Sequence, residues 1–153
     1  MIAVIQRVNN AIVYADGELS GTISKGLYIL LGVASADTDE DARLLAEKIS
    51  KLRIFSDENG KMNLSVMDVD GDIMVVSNFT LNANYSHGNR PDYFASAGPQ
   101  EADRLYELFK KLMGEKTKNL ASGVFGADMR TEMSTDGPVT IVMDSNVLKG
   151  GRK

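Results

Sequence analysis

The chain has 153 residues and no cysteine, which excludes both a disulfide framework and a thiolate nucleophile. It has one histidine, His87; a Ser-His-Asp triad would have to be built on that residue, and a zinc site would lack its usual ligands. Neither a phosphate-binding Gly-rich loop nor a dinucleotide fingerprint occurs. No apolar run reaches membrane-spanning length. The opening Met1 to Arg7 meets Gln6 and Arg7 at once, so it reads as a strand and not as a secretory signal. Without such a signal, the Asn-x-Ser/Thr matches at Asn63, Asn78 and Asn84 are accidental, and the cytoplasm is the expected compartment. Basic residues are outnumbered, 17 against 21 acidic, for a net charge of -4. That balance argues against coating nucleic acid by bulk electrostatics. No metal, cofactor, membrane or DNA partner is expected.

What is present suits a single globular domain spanning residues 1–153: 43% hydrophobic and 25% charged residues, with length enough for a real core. Ile2 to Val8 and Ala11 to Tyr14 read as two strands joined around Asn9-Asn10, with Arg7 an unusual charge among apolar neighbours. Asp16-Gly17 marks a hairpin leading into Glu18 to Ser24. Gly26 to Val33 is nearly all apolar, the pattern of a central strand buried on both faces. Thr38 and Asp41 form a capping pair before a helix whose apolar stripe is Ala42, Leu45, Ile49 and Leu52. Arg53 to Phe55 is extended, and Glu58-Asn59-Gly60 turns it. Asp68, Asp70 and Asp72 do not match calcium-loop spacing, and Asp70-Gly71 is expected as a hairpin turn before the strand Asp72 to Ser77.

Leu81 to Ala97 is a long polar segment, and loops of that length inside compact domains usually have a function. Pro99 opens a second helix with the stripe Ala102, Leu105, Tyr106, Phe109, Leu112 and Met113, ending at Gly114. A strand near Asn119 to Ser122 follows, then two strands, Ala127 to Ser134 and Val139 to Asp144, around Gly137-Pro138. Strands therefore dominate without regular strand–helix alternation. The fold class expected is α+β, with mostly antiparallel sheets curling into a barrel or sandwich and two helices packed outside.

Two stretches are candidate sites. Thr135-Asp136-Gly137-Pro138-Val139-Thr140 is a rigid elbow with a carbonyl on each of Gly137 and Pro138; on composition alone it is a surface turn. Ser77-Asn78-Phe79-Thr80-Leu81 closes a buried strand and opens the long loop; it is equally readable as a strand end with locally satisfied hydroxyls. Lys110, Lys111, Lys116 and Lys118, and the tail Lys149 to Lys153, are basic clusters that read most simply as a solvated helix face and a frayed end. Composition and spacing alone name no reaction.

Together the two stretches resemble the paired signatures of the D-aminoacyl-tRNA deacylases, small homodimeric enzymes. Val4-Ile5-Gln6-Arg7-Val8, Gly88-Asn89-Arg90-Pro91 and Gly123 to Met129 resemble further family segments in the same order. Two positions depart: Asn78 stands where the family usually has glutamine, and Thr135 where it usually has asparagine. The resemblance implies hydrolysis of the ester joining a D-amino acid to the 3′ adenosine of tRNA, and of mischarged glycyl-tRNA. It implies a homodimer, with Pro138 cis and each elbow entering the partner's site. Ser77, Phe79 and Thr80 are then the catalytic residues, with main-chain N–H groups near Phe79 and Thr80 holding the oxyanion and the RNA's terminal 2′-hydroxyl assisting water. Gly137, Pro138, Asn78, Met129 and Arg7 are the substrate-binding residues, Arg7 by bracing the elbow. A catalytically weakened tRNA-binding module of the same fold is the alternative.

Overall fold

The computed structural model describes residues 1–150. The elements in order are strands β1 (Ile2–Ala15), β2 (Glu18–Ile23) and β3 (Gly26–Gly32), helix α1 (Asp39–Ser50), and short strands β4 (Phe55–Ser56) and β5 (Met62–Leu64). Strand β6 (Asp72–Ser77) follows, then a 3-10 turn (Phe79–Asn82), helix α2 (Pro99–Gly114), strands β7 (Leu120–Ser122) and β8 (Met129–Asp144), and helix α3 (Ser145–Lys149). The main sheet runs β2-β1-β3-β6-β7, with β8 paired to β1; β4 and β5 form a separate ribbon. Pairing is antiparallel except for β3 with β6 and β6 with β7. The two ends of this path curl toward each other: the Ser20 hydroxyl donates to the Ser122 carbonyl at 2.7 Å. The expected α+β, barrel-like architecture is what the chain adopts.

The period-2 geometry of strands explains why β3 is apolar throughout. Leu27, Ile29 and Leu31 point into a core shared with α1 and α2, while Tyr28 and Leu30 join a second cluster on the opposite face. Strand β6 divides the same way, Ile73 and Val75 to one side, Met74 and Val76 to the other. The helices supply Leu45, Ile49, Leu105 and Phe109, all fully buried, each worth about 1.5–3 kcal/mol relative to exposure. Among the described residues, no helix is long and apolar enough to cross a membrane.

Several expectations need correction. Strand β1 is continuous through Asn9-Asn10. The register slips there, Val8 facing Thr135 and Asn10 facing Ser134, so the polar pair is a bulge and not a turn. The elbow likewise lies within one long strand, not between two. Asp70 does adopt a left-handed conformation, φ 53°, beside Gly71. It makes no hairpin, however, because β5 pairs with β4 while β6 joins the main sheet. Leu52 lies beyond the end of α1.

Besides the two expected helices there is a third, α3. It docks through the Asp41 carboxylate, which accepts from the Ser145 hydroxyl at 2.5 Å and the Lys149 ammonium at 2.8 Å. Burial would raise the Asp41 pKa, but the hydrogen bonds from Lys149, Ser145 and the Thr38 N–H outweigh it and hold the carboxyl well below the usual carboxylate range. Asp41 thus performs its capping task and a tertiary one. Of the basic tail, Lys149 is committed here, and Gly151 to Lys153 lie outside the described residues.

Candidate active site

The sequence brings β6 up through the sheet and stops it at Ser77, where Asn78 takes over as the cap of the 3-10 turn. The Asn78 side-chain oxygen accepts the Thr80 N–H at 3.2 Å and the Thr80 hydroxyl at 2.5 Å, the capping role for which short polar side chains are suited. The turn is fixed to the end of β3 by Asn82, whose buried amide donates to the Val33 carbonyl at 3.0 Å. Gly32 permits this close seating, since a Cβ there would stand 2.9 Å from Leu81 Cβ and 3.1 Å from the Asn78 carbonyl oxygen.

Behind the turn lies a cavity of about 730 Å³, ample for a nucleoside or amino-acid-sized group. Ser77, Asn78, Phe79 and Met129 line it. Its other walls come from Tyr28, Tyr93, Tyr106 and Phe125, and Thr131. Sequence reading missed these: Tyr28 and Tyr106 sit inside apolar patterns and count as core, their hydroxyls being the one sign of another use. The Tyr28 hydroxyl is 3.1 Å from that of Thr131, and Tyr106 donates to the Val75 carbonyl at 2.9 Å. Burial raises the pKa of both tyrosines above the ordinary phenol value, so neither ionises near neutral pH.

Among the described residues no acid–base pair faces this space. The Thr80 hydroxyl is turned to a neutral amide, and His87 is not among the lining residues. Among the described residues no group of three or more His, Asp or Glu side chains comes together as a metal site would require. What the rim does offer is main chain. Phe79 opens the 3-10 turn, and its N–H has no acceptor among the described residues, as befits a first-turn amide. Its ring is 60% exposed and meets Tyr93 edge-on at 5.0 Å.

The remaining candidates gather elsewhere. In the β1–β8 ladder Gln6 faces Thr140 and Val8 faces Thr135, so Asp136, Gly137, Pro138 and Val139 stand opposite Arg7 alone. The elbow is therefore extruded from the sheet edge, and Arg7 spans the gap. Its Nε donates to the Asp136 carbonyl at 3.1 Å and lies 3.0 Å from the Asp136 carboxylate, and its Nη1 donates to the Ile54 carbonyl at 2.7 Å. This accounts for a cation in an apolar strand. The Gly137–Pro138 peptide is cis, and both residues are exposed. Neither lines the cavity of its own chain. The lysine cluster is mostly neutralised, Lys110 by Glu107, Lys116 by Glu47 and Lys118 by Asp70.

A fold of this shape, with a preformed cavity lined by no acidic, basic or histidine side chain among the described residues, defines a class of small barrel-like α+β proteins. The family model described as D-Tyr-tRNA(Tyr) deacylase matches residues 4–144, and the chain belongs to that family. It is 49% identical to the D-aminoacyl-tRNA deacylase of Dictyoglomus turgidum, covering 100% of this chain and 98% of that protein. It is 53% identical to the one from Flavobacterium johnsoniae, over 95% and 97% of the two. A solved structure named c-Myc DNA Unwinding Element Binding Protein superposes with a TM-score of 0.88 at 37% identity, covering 94% of this chain and 98% of that one. A structure described as "a probable eukaryotic D-amino acid tRNA deacylase" has a TM-score of 0.81 over 93% and 97% of the two chains; at 14% identity it speaks for the fold alone.

Proposed function

We propose that this protein hydrolyses the ester linking a D-amino acid to the 3′ end of tRNA, releasing both. Family membership across residues 4–144 is the observation that carries this reading. In it, the cavity takes the terminal nucleoside and ester, and the Phe79 N–H receives the charge that develops on the carbonyl oxygen. Such a main-chain donor is worth about 10²–10³ in kcat. Thr80 is held by Asn78 with no base beside it, which speaks against a covalent threonine and for direct attack by water, assisted by the RNA's terminal 2′-hydroxyl.

The elbow is assigned to a second copy of the chain. Gly137 and Pro138 stand out of the β1–β8 ladder and do not line their own cavity. Entering the partner's cavity, their carbonyls would receive the substrate's α-amino group. An L side chain would be driven against the elbow, while a D side chain would point away. Selection then works by collision and not by extra affinity, so glycine, lacking a side chain, passes and is hydrolysed too.

Incubation with D-Tyr-tRNA, L-Tyr-tRNA and Gly-tRNA is the test. Release from the D and glycyl esters but not the L ester is expected; intact D-Tyr-tRNA would sink the reading and leave an RNA-binding module. A tRNA ending in 2′-deoxyadenosine should be hydrolysed far more slowly. Full activity in a protein that sediments as a monomer would remove the cross-subunit elbow.

A further inference from the structure

Tyr85 and Phe94 are 80% and 91% exposed, and both lie on the segment between the 3-10 turn and α2. Tyr93 and Ser96 of the same segment turn the other way and wall the cavity. The segment thus has one face inside the site and an aromatic face outside its mouth. It is held in shape by a pinch at its base. Asn84 and Asp92 exchange backbone hydrogen bonds of 2.9 Å each way, and the Asn84 amide donates to the Asp92 carboxylate at 3.1 Å. Tyr85 and Phe94 flank that pinch. Exposed aromatics grouped in this way mark a surface that something covers.

Charge selects what covers it. The arginines that make ion pairs among the described residues are Arg7, Arg43, Arg104 and Arg130; Arg90, at the tip of the segment, makes none. Asp92 is the sole acid between residues 81 and 97. Both its carboxylate oxygens are engaged, one by the Asn84 amide and one by the Phe94 N–H at 3.2 Å. Two exposed rings and an uncommitted guanidinium on one short segment form the combination that holds unpaired nucleotides, bases on the rings and phosphate on the cation.

We infer that the outer face of residues 84–94 grips the unpaired nucleotides just upstream of the substrate's terminal nucleoside, Tyr85 and Phe94 stacking on bases and Arg90 meeting phosphate. This rests on the proposed deacylase reading, in which the terminal nucleoside enters the cavity and the preceding nucleotides leave across this face.

The Tyr85→Ala/Phe94→Ala protein tests it with three probes: D-Tyr-tRNA, the D-Tyr ester of adenosine alone, and a fluorescein-labelled RNA tetranucleotide ending in CCA. For D-Tyr-tRNA the KM should rise about tenfold or more with kcat unchanged, as loss of stacking predicts. Hydrolysis of the adenosine ester should not change, tetranucleotide binding should weaken about as much as KM rises, and Tyr85→Phe/Phe94→Tyr should restore both. Arg90→Gln should lower the salt dependence of tetranucleotide binding by about 0.7 in slope. Unchanged tetranucleotide binding, equal losses on both esters, or a changed sedimentation coefficient in the double variant would overturn the inference, the last by showing that a second copy covers the face. If the wild type hydrolyses neither ester, the deacylase reading fails, while the tetranucleotide measurement still decides the surface.

Discussion

The cavity and the elbow are built by opposite means. The cavity is finished within one chain: side chains from β3, β6, α2 and β8 wall it, and the hydroxyls of Tyr28 and Tyr106 are both hydrogen-bonded. The elbow is main chain, exposed, extruded from a sheet edge and tied back by one arginine. A side-chain cavity tolerates conservative exchange, since its shape is shared among many residues. A main-chain device depends on backbone path, so small changes at few positions should matter most there.

The contrast can be tested at its extremes. Gly137→Ala should have the largest effect, because the new Cβ would fall on the Val139 backbone nitrogen and force the elbow to a new path. The ratio of D- to L-Tyr-tRNA hydrolysis should fall about 100-fold, as for misplacement of a positioned group, with circular dichroism unchanged. An unaltered ratio would mean that the elbow does no selecting.

Arg7→Met comes next. It leaves the Ile54 and Asp136 carbonyls without their charged donor, a loss of about 1.5–3 kcal/mol, measurable by urea unfolding. Chiral discrimination should weaken as well, and Arg7→Lys should recover only part of either. Equal stability of the wild type and Arg7→Met would show the brace to be idle.

Within the cavity, Tyr106→Phe should lower stability by about 1 kcal/mol through loss of its hydrogen bond to the Val75 carbonyl, with little change in turnover. The phenol pKa is raised in the fold, so the folded state keeps the proton longer than the unfolded chain. Its contribution is therefore complete below about pH 10 and is lost as pH rises beyond. The wild type should lose stability above that pH more steeply than Tyr106→Phe. Thr80→Ala should be mildest, reducing kcat by less than about tenfold; abolished turnover would restore the threonine as nucleophile.

Sequence reading succeeded where one physical demand had one signature. Gly26 to Val33 had to be apolar because both faces of β3 are buried, and the helical stripes of α1 and α2 had to recur at helical spacing. It failed where two structures make the same local demand. A bulge and a turn both favour polar residues, so Asn9-Asn10 looked like a strand break. A left-handed residue at Asp70 suits a hairpin equally well, whether or not the flanking strands pair. Helix α3 is too short for periodicity, and Asp41, its anchor, carried a capping signal that concealed its tertiary one. The elbow was visible as a candidate in Gly137-Pro138 itself, but its extrusion was not, because that is set by register: Arg7 standing alone against four residues of β8 is a long-range fact that no local pattern encodes.

That register also bears on how the protein is made. Strand β1 leaves the ribosome well before its partner along nearly its whole length, β8, at residues 129–144. Until the latter emerges, β1 has one edge unpaired and Arg7 has no elbow to brace. Contacts of such sequence separation close slowly, and an unpaired strand edge is prone to wrong partners in the interval. The arrival of β8 is thus the event that both seals the sheet and sets the elbow.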